Sequence, residues 1–392
     1  MIALYFDVVC PYAYLAFTQL PALAQEAGRT LQLRPILLGG LMGTLEASPP
    51  RTEGPKHRMT QIDLRRRAAW LGQRLEIPEA HPRRTVDAMR LLVAVEGPQR
   101  LALARALFEA YWLNGEDIAD RAVLQRLATP FSLDVAAAVA DPAVRQRLFS
   151  VTEEAHQAGV FGVPTVAVDD TLWWGVDRLD FVRAQLGLSS EAPRVGPRRG
   201  ATLELFHDLA SPFAYLASTQ IERLAAEAGA SLTWTPILLG ALFRSIGTPM
   251  VPLHSFSAPR RAWMSGDVRR WADRWGVPFR FPSHFPLRTV TALRVTLVQP
   301  KTTGLLYRAA WEKDRDIGDP EVLRDVLDAG GFPGETLIEQ TQDPQIKAQL
   351  RANTERAEAL GVVGVPTVLV DGADLFWGQD RLDQVTEAAT RA

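Results

Sequence analysis

The chain has 392 residues, of which 47% are hydrophobic and 22% charged, with a formal net charge of -2. This is ordinary globular composition for two or three domains; no basic field points to nucleic acid, and no apolar run approaches the ~20 residues of a membrane span. Cys10 is the sole cysteine, which excludes an intramolecular disulfide and a thiolate metal cluster.

In chain order, Met1–Asp7 has no basic leader and reaches an acid at once, so it reads as a strand rather than a signal peptide, and a cytoplasmic protein is expected. Residues 2–9 form a run of strand length. Pro11 then suits a first helical turn, where a missing N–H is not needed. Leu15, Leu20 and Leu23 follow at helical spacing, and Gly28 stops the helix. A second strand is predicted over Leu31–Leu38, parallel to the first because the connection is long. Helical periodicity then runs from about 56 to 158. Two short strands, Thr165–Val168 and Leu172–Trp174, and a last helix complete the unit.

The same grammar then repeats. Leu4–Ala16 is matched by Leu205–Ala217, Pro35–Gly39 by Pro236–Gly240, Gly162–Val166 by Gly364–Val368, and Trp174–Asp180 by Trp377–Asp383. Four blocks in one order at a nearly constant offset establish a duplication. Its second helical stretch covers about 258–360. Ser189–Gly200, with two prolines and two glycines, reads as a linker between domains at 1–188 and 201–392. The order βαβ, helices, ββα predicts an α/β chain of two thioredoxin-like domains, each with a large all-helical insertion.

Three places in each copy can carry chemistry. Cys10 and Ser211 open the first helix, where free N–H groups and the positive dipole end stabilise an anion; the plain alternatives are a small buried hydrophobe and a serine N-cap. On the same ground the Cys10 thiol is expected to ionise easily. Val163-Pro164 and Val365-Pro366 precede strands. Each proline is either structural or part of a loop that pairs, strand-like, with a bound thiol peptide. Asp177 and Asp380 open the last helix, as caps or as partners of a ligand ammonium. His207 lies on the strand before Ser211 and points away along it, so no serine-hydrolase triad is evident.

At these residues the sequence resembles the 2-hydroxychromene-2-carboxylate isomerases, which group with kappa-class glutathione transferases and DsbA-like thioredoxins. The resemblance covers nearly the whole chain, twice. It implies that Ser211 hydrogen-bonds a glutathione sulfur, that the Val365 backbone pairs with the glutathione cysteine beside a cis Pro366, and that Asp380 lies near the γ-glutamyl end. It also implies that Arg260, on the basic-aromatic helix Arg260–Ala272, takes the place of a usual lysine in the second copy. Lys56 and Asp63, with Val163, Pro164 and Asp177, hold the same relative places in the first. Two departures stand out: Cys10 replaces the isomerase serine, and Ala13 replaces the second cysteine of an oxidoreductase. The implied activity is a glutathione- or other low-molecular-weight-thiol-dependent isomerase or transferase without a metal, acting on an unsaturated aromatic-derived acid. The rivals are a monothiol redox protein using Cys10 and a non-catalytic binding module. Since relatives pair through two-fold axes, the copies are expected to form an internal pseudo-dimer within a monomeric chain.

Overall fold

A computed structural model describes residues 1–45, 52–189, 196 and 199–391. Most of the Ser189–Gly200 linker therefore lies outside the described residues. The chain divides into two compact units. One is built from the first repeat with Ser257–Arg260 of the second; the other is built from the second repeat with the segment of the first that ends at Thr60.

In the first unit, β1 (Ile2–Phe6) pairs in parallel with β2 (Leu31–Pro35) and antiparallel with β3 (Thr165–Val168), which pairs with β4 (Thr171–Trp174). The sheet order is β2-β1-β3-β4. Central β1 is apolar along its length, and Leu4 faces Leu33 on one side and Val166 on the other. Both first strands stop short of the apolar run. Asp7 ends β1 by accepting the backbone N–H groups of Val9 and Leu38, and Leu38 starts a helix (Leu38–Thr44) instead of extending β2.

The second unit repeats this order with β5 (Thr202–His207), β6 (Ser231–Pro236), β7 (Thr367–Val370) and β8 (Asp374–Trp377). Leu203, Leu205, Val368 and Val370 pack with Ile221, Leu224 and Val385 into a core on one sheet face. Where the first unit has a single helix, Pro11–Glu26, the second has two, Pro212–Ser218 and Ile221–Ala228. Gly28 and Gly229 follow these helices with φ of +61° and +65°, the left-handed conformation that glycine adopts without penalty. Between β2 and β3 the chain is helical, from Pro55–Trp70 to Pro142–Gln157, and between β6 and β7 from Ala258–Trp275 to Pro344–Leu360. Two thioredoxin-like sheets with helical insertions are thus the architecture. No described helix is long and apolar enough to cross a membrane.

Candidate functional site

In each unit the strand-to-helix turn and the loop before the third strand meet at one end of the sheet. Ser211 is the N-cap of Pro212–Ser218. Its Oγ accepts the Ala214 N–H at 3.2 Å and donates to the Val365 carbonyl at 3.2 Å. Cys10 is the N-cap of Pro11–Glu26 with no side-chain cap bond, and its Sγ donates to the Val163 carbonyl at 3.3 Å. Val163-Pro164 and Val365-Pro366 are cis. The structure therefore brings Ser211 to Val365 and Cys10 to Val163.

The two turns differ in acidity. Burial pushes the Cys10 thiol up to about 12, outweighing the Ala13 and Tyr12 amides that favour the thiolate, and nearby Asp7 adds to the rise. The easily ionised thiol expected from helix position alone is corrected here: desolvation beats the dipole end. Alkylation of Cys10 should be slow near pH 8 and accelerate with each further unit of pH. Rapid labelling below neutrality would contradict this assignment.

Asp177 and Asp380 sit one turn past the tryptophans. Asp177 Oδ1 lies 3.3 Å from Arg178 and Asp380 Oδ1 3.1 Å from Arg381, so each carboxylate is held in an ion pair with the next residue. The carboxylates also explain Gly175 and Gly378. Their φ values are +98° and +114°, and a Cβ there would come within 2.4 Å and 2.5 Å of Asp177 and Asp380. Gly162 and Gly364 are held clear in the same way, because the indole nitrogens of Trp174 and Trp377 occupy the space of a side chain at 2.8 Å.

The basic residues are distributed otherwise than expected. Arg260, placed by resemblance with Ser211, belongs to the first unit, its guanidinium 5.4 Å over the Trp174 ring. Lys56, placed with Cys10, belongs to the second unit, its ammonium 5.6 Å over the Trp377 ring. Each gains a cation–π contact with the tryptophan of the other repeat's motif. Spacing within one repeat cannot say which tryptophan a cation will meet. Asp63 stays in the first unit and accepts from the Tyr12 hydroxyl at 3.3 Å.

Asp7 and Asp208, three residues before Cys10 and Ser211, join the site without having been expected there from the sequence. Both are almost fully buried, and desolvation raises both carboxyls despite the hydrogen bonds they accept. Asp208 ties together Ala210 N–H, Leu239 N–H and the Thr289 hydroxyl, while Asp7 ties Val9 and Leu38 with help from Thr85. The signal was present, since both aspartates lie in the first repeated block.

The model of the DsbA-like thioredoxin domain family matches residues 1–187 and 202–389. The 2-hydroxychromene-2-carboxylate isomerase of Sphingobium xenophagum is 33% identical over 190 residues, covering 46% of this chain and 95% of that protein. Human glutathione S-transferase kappa 1 is 31% identical over 204 residues, covering 46% of this chain and 88% of that protein. A solved structure of 2-hydroxychromene-2-carboxylate isomerase superposes with a TM-score of 0.43 at 25% identity, covering 47% of this chain and 94% of that one.

Proposed function

Both halves of the chain belong to the DsbA-like thioredoxin domain family, and from that premise we propose a glutathione- or other low-molecular-weight-thiol-dependent isomerase or transferase working at Ser211. The observation that carries this reading is the Ser211 hydroxyl, anchored by the Ala214 N–H and donating to the Val365 carbonyl at a helix N-terminus. A bound thiolate beside it would take over that hydrogen bond without any backbone movement. The donor and the helix dipole both favour the sulfur anion.

The residues suit such a ligand. Gly364 and Gly378 keep side chains out of the loops flanking Val365 and Asp380. The Val365 backbone beside Pro366 would pair with the cysteinyl part, Asp380 would face the amino end, and Lys56 over Trp377 would add positive charge for a carboxylate. In the first unit Val163, whose carbonyl accepts from Cys10, would with Pro164, Asp177 and Arg260, the last over Trp174, make up the corresponding set. The thiol supplies a nucleophile that can add to an unsaturated aromatic-derived acid, permit rotation and leave again. The chain supplies anion stabilisation and orientation, not a covalent nucleophile of its own. Redox chemistry through Cys10 is disfavoured, because its thiol is held protonated and the chain has no second cysteine to resolve a mixed disulfide.

The test is an equilibrium titration with glutathione followed by thiolate ultraviolet absorbance. Binding with a bound-thiol pKa at least about one unit below that of free glutathione is expected. Saturable binding of S-methyl glutathione as tight as glutathione, with no thiolate signal, would remove the role given to Ser211.

A further inference from the structure

A buried pair beneath the turns that carry Cys10 and Ser211 differs between the repeats. In the first unit Phe6, at the end of β1, packs against Phe108 with ring centroids 5.6 Å apart. In the second, His207 and Tyr307 hold the same two places at 5.9 Å. The equivalence is fixed by the neighbouring tryptophans: Trp112 Nε1 donates to the Val8 carbonyl and Trp311 Nε1 to the Leu209 carbonyl, both at 2.8 Å.

His207 and Tyr307 are wholly inaccessible to solvent. The Tyr307 Oη lies 3.2 Å from His207 Nδ1 and donates to the Asp208 carbonyl at 3.2 Å. A single proton arrangement satisfies both contacts: Nδ1–H of His207 donates to the hydroxyl, and the hydroxyl donates to the carbonyl. The Nε2 atom of His207 then carries a buried lone pair that no described residue satisfies. The same Asp208 carbonyl accepts the Ser211 N–H at 3.1 Å. Two successive carbonyls of the turn, Asp208 and Leu209, are thus pinned by side chains. In the first unit Val8 is pinned, but at the Asp7 carbonyl Phe108 has no hydroxyl to offer, and Cys10 N–H donates there at 3.1 Å.

Burying two polar groups where a phenylalanine pair fits costs stability, so the pair adds geometry rather than cohesion. We infer that His207 and Tyr307 are positioning residues for Ser211, clamping the Asp208 carbonyl so that the Ser211 hydroxyl is presented to a bound thiolate in the second unit. The thiolate part of this inference rests on the function proposed above.

The test compares wild type with Tyr307→Phe and with the double variant His207→Phe/Tyr307→Phe, which restores the pair that the first unit already folds around. Two measurements are made, hydrogen exchange of the Ser211 amide and titration of bound glutathione by thiolate absorbance. In the double variant the Ser211 amide should exchange about tenfold faster, and the thiolate fraction at fixed pH below the bound pKa should fall about three- to tenfold. Tyr307→Phe should reproduce most of both effects. An unchanged Ser211 exchange rate overturns the inference. So does faster exchange with an unmoved thiol titration, which would make the pair a support of the turn alone. If wild type shows no glutathione thiolate, the proposed function falls and the Ser211 exchange rate alone decides for or against the clamp.

Discussion

Replacing Ser211 with alanine is expected to lower glutathione-dependent turnover about a hundredfold, the loss typical when one preorganised donor to a developing or resident anion is removed. The fold should survive. Ser211 is an N-cap whose Oγ serves the Ala214 N–H, and losing such a cap costs about 1 kcal/mol. The carbonyl of Val365 would lose its donor but stays in place beside Pro366. Cys10→Ser should leave turnover within about twofold, because the Cys10 thiol is held protonated and its unit has Phe6 and Phe108 in place of the His207–Tyr307 clamp. Initial rates of the two variants, with thermal unfolding as control, separate the cases. Equal losses from both substitutions would end the idea of unequal sites.

How much of this was readable in the chain depends on distance along it. The turns were legible because Pro11 and Pro212, the Val-Pro pairs and the Trp-Gly-x-Asp-Arg blocks each carry their own local chemistry and occur twice. The ends of the first strands are not legible from composition, since apolar residues continue at Val8 and Leu209 while the buried aspartate just before each, Asp7 or Asp208, turns the backbone away. The acidity of Cys10 is hidden for a different reason. Its position at a helix start is local, whereas the packing that desolvates it comes in part from Ile36, Leu41 and Val163, far off in sequence. The placement of Lys56 over Trp377 and of Arg260 over Trp174 was invisible for the same reason, and so was the contact between His207 and Tyr307 across a hundred residues.

Acid should destabilise the second unit through His207. Burial lowers this imidazole to about 3, against an ordinary 6.5. Between those values the unfolded chain takes up a proton that the folded unit refuses, so the unfolded state binds more protons and stability falls as pH falls. The slope approaches 1.4 kcal/mol per pH unit for one such group, or about 2 kcal/mol lost at pH 5 relative to neutrality. Above about pH 7.5 the term is nearly constant. Asp208, which adjoins His207, works the other way: its raised carboxyl keeps a proton longer when folded, so acidification down to its unfolded value favours the fold. Asp208 is present in both wild type and His207→Phe/Tyr307→Phe, so it cancels in their difference. Hydrogen exchange of β5 and β6 amides, corrected for the intrinsic pH dependence, reports this unit by itself in a chain of two compact units. Wild type should lose about 2 kcal/mol more than the double variant between pH 7 and pH 5. Parallel losses would mean that His207 accepts its proton in the folded unit. The Nδ1–H donation to Tyr307 would then coexist with a charged ring, and the Nε2 proton would require a partner that no described residue supplies.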